Sequence, residues 1–564
     1  MCGIFGCISK NPKNLIDQTL QGLKILEYRG YDSAGITYQE STAKKHTLTT
    51  IKSVGDIEQL SQKIKDRPAT NICLGHTRWA TNGTVTIDNS HPHLSFNGEI
   101  AVVHNGIIEN YQQCCSHLEA HKIKLQTPVD TEVIPNILYL LQHNKHNIWK
   151  ILQGQYVFCA TQNELNNLFL AKKGNLPIYL GRTNDTIYIT SDTLALPSTV
   201  NEIIAFDDLD TCEITNEKIE FYHQGAPIKK AWQPFNQSFS ASDKNGFTTY
   251  MEKEINEIPV VMQKILNHYY HNQEIKQQKQ QFHNLIKDVN CIHICGCGTS
   301  YHAAKIIAQV FERDLNVRAI AHISSELTPS TLLPEKAISI VISQSGETAD
   351  TLAAMDILKQ QQVPIIALCN VITSTIAQRS NITFPLLCGP EIAVASTKVF
   401  CAAILVGCLL IKNYSQDCQT EFIQFTKQIL KDARQILPLP QNRPNKIFTV
   451  GKGLFHSLAL EAALKIKEVS YLHCEGYPAN ELKHGPLAMV DHQTLAIAFG
   501  NNTENAIAEI QARGGQVIHI SPNENPLSFI SQIIPAQILA LDLAQSLKIN
   551  PDKPRNLAKS VTVL

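Results

Sequence analysis

The sequence predicts a β-rich N-terminal domain followed by two similar doubly wound α/β domains, and three observations carry that expectation. The chain has 564 residues, more than one hydrophobic core supports, since single cores stop growing near about 250–300 residues. Up to residue 222, short β-branched runs such as I-A-V-V-H from Ile100 and T-I-Y-I-T from Thr186 are bounded by Gly and Asn, as strands are. After residue 240 the rhythm changes. Apolar runs now alternate with helical text: C-I-H-I-C-G from Cys291, A-I-S-I-V-I-S from Ala337 and P-I-I-A-L-C from Pro364, the pattern of a parallel sheet buried on both faces.

A second copy of that pattern follows in K-I-F-T-V-G-K-G from Lys446, T-L-A-I-A-F-G from Thr494 and Q-V-I-H-I-S from Gln516. Aligning G-C-G at Gly296 with G-K-G at Gly451 makes the C-terminal half a diverged repeat. The polar stretch 223–246 lacks periodicity and reads as a linker. Domains are therefore expected at 1–240, at 241–430 with leading linker helices, and at 431–564 with a C-terminal tail. The apolar run 399–411 is shorter than the roughly 18 residues of a membrane span and reads as a buried helix.

Charge narrows the function. With 49 basic and 50 acidic residues the formal charge is −1, so electrostatics give no case for nucleic acid or a membrane surface, and small ligands are the expected partners. Sixteen cysteines are scattered along a chain without a secretory leader, which points to a reducing cytoplasm. Cys295 and Cys297 form only C-x-C, and Cys114 and Cys115 are merely adjacent, so no metal site and no cofactor are expected.

The stretch S-Q-S-G-E-T, from Ser343, follows an apolar strand and precedes a helical run. Such a turn sets backbone N–H groups at a helix N-terminus, where an anion is favoured. Ser343, Ser345 and Thr348 add hydroxyls, Gln344 an amide, and Gly346 allows close approach. Thr299 and Ser300 in G-C-G-T-S offer the same chemistry one strand earlier. Plain helix capping is the competing reading. The matching position in the second copy is G-N-N-T-E-N from Gly500, which has lost the serines. Neither a Walker loop nor the dinucleotide spacing is present, so a phosphorylated small molecule is favoured over a nucleotide.

In A-L-E-A-A-L-K-I-K-E from Ala459, Glu461, Lys465 and Glu468 share one helix face. Spacing alone makes that face solvated. His484 stands beside a Gly-Pro turn in E-L-K-H-G-P-L, a place where an acid or base is displayed. Near the C-terminus, R-N-L-A-K-S-V-T-V carries Lys559 in a tail apolar enough to dock. A lysine in a dry site can lose its proton and form an imine with a ketose. Opening a sugar, holding its carbonyl and moving a proton between adjacent carbons needs a His, a Lys and a carboxylate, and His484, Lys559 and Glu468 supply them.

At the other end, M-C-G-I-F-G-C places Cys2 behind an initiator Met that cells trim. Cys2 then carries a free amine whose ordinary pKa, about 7.7–8.0, makes it a base for its own thiol. Cys7 has no such amine and is expected to be expendable. Asn105 and Gly106 in H-N-G-I-I-E-N-Y can form an oxyanion hole. Arg78 in H-T-R-W-A-T can clasp an α-carboxylate, and Asp130 in V-D-T-E-V can pair with an α-ammonium.

The α/β half resembles the sugar-isomerase (SIS) family. Taken with M-C-G-I-F-G, H-T-R-W-A-T, H-N-G-I-I-E-N-Y, S-Q-S-G-E-T, E-L-K-H-G-P and the ending, the whole chain resembles the isomerizing glutamine:fructose-6-phosphate aminotransferases. The resemblance implies an N-terminal-nucleophile (Ntn) αββα glutaminase domain followed by two doubly wound SIS domains, with a channel between the halves. It implies transfer of ammonia from glutamine to fructose 6-phosphate, giving glucosamine 6-phosphate and glutamate, the first step of hexosamine synthesis, in a homodimer with shared sites.

Carried over by motif, Cys2 is the nucleophile, Asn105 and Gly106 the oxyanion hole, Arg78, Thr81 and Asp130 the glutamine contacts, and Trp79 the channel gate. Thr299, Ser300, Ser343, Gln344, Ser345, Thr348 and Ser396 match sugar-phosphate contacts, with Val394 close by. Glu468, Lys465, His484 and Lys559 match the isomerase centre. Three features depart from the family pattern: Asn82 stands where His is usual, the segment 522–546 is short, and the chain ends Val563-Leu564. The rival readings are an amidotransferase with another acceptor, an SIS-type sugar-phosphate sensor, and a deglycase or deaminase with a vestigial glutaminase domain.

Overall fold

A computed structural model of the chain describes residues 2–42, 45–79, 84–163, 165–174, 176–215, 217–235, 244–331, 336–441 and 443–561. Met1–Asp243 together with Ser560–Leu564, and Lys244–Lys559, are two compact units.

In the first unit the strand Gly3–Lys13 lies inside an eight-stranded sheet, antiparallel to Thr70–Arg78 on one side and Thr186–Thr190 on the other. Strand alternation sends its side chains to opposite faces. Phe5 and Cys7 pack with Leu15, Leu20 and Leu23 of the helix Leu15–Leu26, while Ile4 and Ile8 join Leu74, Val103, Val157 and Leu170. That second cluster lies between the eight-stranded sheet and a seven-stranded one that contains Ile100–Gly106 and Tyr156–Gln162. On the far face of the seven-stranded sheet, Ile100 and Val102 meet Leu118, Ile134 and Ile137 of the helices Tyr111–Ala120 and Val133–Leu141. The layers run helix, sheet, sheet, helix, the αββα order inferred from the sequence. Each fully buried Leu or Ile contributes about 1.5–3 kcal/mol to holding them.

The stretch read as a linker is partly structured. Ala226–Ile228 and Gln233–Pro234 form outermost strands of the two sheets. Both contain proline, which an edge strand tolerates, and both are too short to show an alternation.

The second unit opens with the helices Tyr250–Asn256, Ile258–His271 and Gln273–Ile286. Five parallel strands follow, in spatial order Arg318–Ile323, Cys291–Gly296, Ala337–Ser343, Ile365–Cys369 and Ile382–Pro385. The order reverses between Cys291–Gly296 and Ala337–Ser343, and ligands bind open α/β sheets beyond the strand ends at such a switch point. A second parallel sheet repeats this order one strand shorter: Cys474–Pro478, Lys446–Gly451, Thr494–Phe499, Gln516–Ile520.

The repeat extends to backbone detail. Gly298 (φ 52°) caps the helix Thr299–Leu315, which ends at left-handed Asn316, and Gly453 (φ 61°) caps Leu454–Ser470, which ends at left-handed Tyr471. The apolar run near 400 is the buried helix Lys398–Ile411, set in a core common to both copies. No described helix is long and apolar enough to cross a membrane.

Candidate active site

Cys2 immediately precedes the central strand of the first sheet. Its Sγ accepts the Trp79 N–H at 3.3 Å, and its carbonyl accepts a hydrogen bond from Asn105 Nδ2 at 3.0 Å. Asn105 Oδ1 lies 3.0 Å from His76 Nε2, which also meets the His104 carbonyl at 2.9 Å. Both neighbours are acceptors, so Nε2 carries the proton and the Asn105 NH₂ is turned toward Cys2. Burial lowers His76 to about 3, leaving a neutral ring. Gly106 has φ 121°, and a Cβ there would meet the Gln155 carbonyl oxygen at 2.2 Å, so only glycine fits.

Burial pushes the Cys2 thiol above its ordinary value, opposed by the amino terminus, the Trp79 N–H and Arg78. Arg78 ends the strand Thr70–Arg78 and is buried. Burial lowers its pKa, while Cys2, Asp32 and Asp130 act to raise it, so the three motif residues share one electrostatic neighbourhood. Asp130 is held by the Ile108 N–H, which donates to Oδ2 at 2.8 Å. The Trp79 ring stands edge-on to Tyr31 at 5.6 Å. Thr81 and Asn82 lie outside the described residues. Cys7 is buried, hydrogen-bonds Leu15 O and Thr19, and is pushed up to about 12 by burial, which makes it a poor nucleophile.

In the second unit, the two hydroxyl-rich loops leave the strands on either side of the switch point. Ser343 Oγ accepts the Gly346 N–H at 2.9 Å and lies 3.5 Å from Thr348 Oγ1, and Ser345 Oγ accepts the Glu347 N–H at 3.2 Å. Thr348 is the N-cap of Ala349–Gln360, yet its side chain makes no capping bond. Capping alone therefore does not account for the loop. Gly346 has φ 68°, and a Cβ there would run into the Ser374 side chain. Gln344, Ser345 and Thr348 are half-buried, as are Thr299 and Ser300 at the start of Thr299–Leu315.

The Glu-Lys-Glu face is not solvated as its spacing implies. Glu461 and Lys465 are 0% exposed and Glu468 is half-buried. Lys465 Nζ reaches Glu468 Oε2 at 2.6 Å, Thr299 Oγ1 at 2.9 Å and Glu461 Oε1 at 3.4 Å. Glu461 Oε2 meets His302 Nδ1 at 2.8 Å. Burial acts to lower Lys465, but Glu461 and Glu468 outweigh it and hold the ammonium charged.

The tail docks through Asp552, whose carboxylate takes the N–H groups of Tyr250 and Met251 at 2.8 Å and whose carbonyl takes that of Val394 at 3.1 Å. Lys559 is thereby buried, and its Nζ meets Glu391 Oε2 at 2.5 Å. Ser396 Oγ donates to the same oxygen at 2.9 Å. The charge of Glu391 also acts on Lys465, which ties the tail electrostatically to the Lys465–Glu468 group. His484 is not brought in. It ends the 3-10 helix Ala479–His484, is exposed, and makes no hydrogen bond or ion pair among the described residues.

Sequence patterns marked His76 only as the first residue of H-T-R-W-A-T, without a role, and did not single out His302, Glu254 or Glu391. Glu391 is an acid just before the apolar run I-A-V-A-S, the one signal that could have marked it, since an acid is seldom buried without a partner.

The SIS domain model matches residues 285–412 and 442–531, and the glutamine amidotransferase domain model matches 76–198. The glutamine–fructose-6-phosphate aminotransferase (isomerizing) of Campylobacter jejuni is 35% identical, with all of both chains covered, and that of Acinetobacter baylyi is 33% identical with the same coverage. The solved C-terminal domain of glucosamine-fructose-6-phosphate aminotransferase from Francisella tularensis superposes with a TM-score of 0.50 at 28% identity, covering 55% of this chain and 100% of that one. With two half-sites on one chain and end-to-end relatives at this identity, the chain belongs to the family of isomerizing glutamine–fructose-6-phosphate aminotransferases.

Proposed function

We propose that the chain hydrolyses glutamine at Cys2 and uses the ammonia to convert fructose 6-phosphate to glucosamine 6-phosphate. The observation that carries this is the full-length match to aminotransferases of that name. Once Met1 is removed, the Cys2 amine takes the proton of a thiol that burial keeps protonated, and the sulfur attacks the carboxamide. Asn105 Nδ2 and the Gly106 N–H receive the oxyanion, Arg78 and Asp130, with Thr81, hold the amino-acid end, and Trp79 gates release of ammonia.

In the sugar half, Ser343, Gln344, Ser345, Thr348, Thr299 and Ser300 hold the phosphate, with Ser396 and the Val394 backbone beside the sugar. Lys559 forms an imine at C2 with loss of water, ammonia adds at C2 and expels the Lys559 nitrogen, Glu468 moves a proton from C1 to C2, and Lys465 orients Glu468. His484 opens the ring. Because it is exposed and unbonded among the described residues of its own chain, we assign it to the sugar site of a neighbouring subunit in a homodimer. Cysteines without disulfides fit a cytoplasmic setting.

Purified chain given both substrates should release glutamate and glucosamine 6-phosphate in equal amounts. Glutamate without amino sugar would refute the coupled reaction and favour a sensor or deglycase. Mixing inactive His484→Ala and Lys559→Ala chains should restore activity in hybrid dimers, and no recovery would return His484 to its own subunit.

A further inference from the structure

We infer that Glu391 is the counter-ion and proton shuttle of the Lys559 imine. The inference rests on the reading of Lys559 as the imine-forming lysine. Both side chains are removed from water, at 2% exposure for Lys559 and 0% for Glu391, with Nζ and Oε2 2.5 Å apart. A protonated imine in such a place needs a fixed anion, because an unpaired buried cation is strongly disfavoured.

Glu391 is built to stay that anion. Its Oε1 accepts the N–H groups of Thr397 at 2.9 Å and Val399 at 3.2 Å, at the N-terminus of Lys398–Ile411, and its Oε2 accepts Ser396 Oγ. Burial acts to raise its pKa, but Lys559 and these donors hold it below the usual carboxylate value. The other charges nearby are engaged differently. Lys398 Nζ pairs with Glu257 at 2.6 Å. Glu254 takes the N–H groups of Ile392 and Ala393, its Oε2 is buried without a hydrogen-bond partner among the described residues, and burial followed by the Glu391 charge pushes its pKa up. Burial and the Glu391 charge thus push Glu254 toward its neutral form, and Glu391 is the carboxylate that meets Lys559.

The step balances within the site. The Lys559 ammonium gives one proton to Glu391 as the Nζ lone pair attacks C2, and the C2 oxygen takes a second proton from that nitrogen, giving a neutral carbinolamine. Glu391 returns its proton to the hydroxyl, the C2–O bond breaks, water departs, and C2=NH⁺ forms opposite the regenerated carboxylate. The positive imine then draws electrons from C1 and C2, which is what Glu468 needs to move its proton.

The test is trapping with cyanoborohydride in the presence of fructose 6-phosphate, read by mass spectrometry at Lys559, beside the fructose 6-phosphate Kd. Glu391→Gln keeps the shape and loses the charge. It should bind the sugar within about threefold of the parent yet label Lys559 at least about tenfold more slowly, with Glu391→Asp recovering part of the rate. A purely structural Glu391 would show labelling in step with sugar affinity. Labelling of Glu391→Gln at the parental rate would overturn the inference. If the parent labels no lysine, or another lysine, the imine reading of Lys559 falls instead. Should Glu391→Gln fail to fold by circular dichroism, Glu391→Asp decides, since it must bind normally and label slowly.

Discussion

In the first α/β copy the helix Thr299–Leu315 buries Ile306 and Val310, and at the matching turns of the second copy Leu454–Ser470 buries Glu461 and Lys465. The loops show the opposite trade. The first copy carries S-Q-S-G-E-T after its strand Ala337–Ser343, whereas G-N-N-T-E-N after Thr494–Phe499 has its Gly500 carbonyl taken by His519 Nε2 at 2.7 Å. One backbone plan thus holds a hydroxyl-rich loop in one copy and a helix that buries Glu461 and Lys465 in the other. The division has a physical reason. A buried Lys between two Glu residues desolvates three ions, which is tolerated only with added hydrogen bonds, and Thr299 and His302 supply them from the first copy. The ionic face of the second copy is completed by side chains of the first.

The sharpest break of that comparison is Lys465→Met. It strands Glu461 and Glu468 without their cation, which should cost about 3–5 kcal/mol in denaturant unfolding and abolish amino-sugar formation. Ile306→Val, on the matching helix face of the first copy, should cost only about 0.5–1.5 kcal/mol. Equal costs would mean that the ionic face is incidental.

A smaller effect separates the loops. Ser345→Ala removes one hydroxyl from a dianionic phosphate, a charged hydrogen bond of about 1.5–3 kcal/mol, and should raise the KM for fructose 6-phosphate about 10–100-fold with little change in kcat. Asn501→Ala, in the corresponding loop of the second copy, should stay within about twofold. Steady-state kinetics on the two variants decide it, and similar KM values would dissolve the asymmetry.

What could be read from the sequence follows the same division. Strand runs, Gly-Ser loops and the Cys2, His76–Arg78 and Asn105–Gly106 segments are local patterns, so their places were legible. The burial of Glu461 and Lys465 was not, because a period of 3.6 marks a face without saying what packs on it, and the packing partner comes from the other copy. Glu391 was missed for a related reason: its partner Lys559 lies 168 residues along the chain. His484 was marked by its Gly-Pro turn, but it is exposed and makes no hydrogen bond or ion pair among the described residues. The edge strands near residue 230 were hidden by the same prolines that signal a linker elsewhere.

The smallest effect is one of pH, and it too divides the copies. His293 in the first-copy strand Cys291–Gly296 is 2% exposed, and the second-copy strand Lys446–Gly451 has Phe448 in the matching place. The Nδ1 of His293 lies 2.9 Å from His322 Nε2. Burial, then His322 and Arg318, lower His293 to about 4, and burial lowers His322 as well. The unfolded imidazole takes its proton near pH 6.5, so between that value and about 4 the unfolded chain binds more protons than the folded one. Stability is therefore full well above pH 6.5 and falls as the pH drops, by about 1.6 kcal/mol for His293 between pH 6.5 and 5. Amide exchange, corrected for its intrinsic rate, should show protection of Cys291–Gly296 falling about 15-fold over that range while Lys446–Gly451 changes less. His293→Phe, which makes the first copy like the second at this site, should flatten the difference. An undiminished pH slope in that variant would move its origin from His293 to another group.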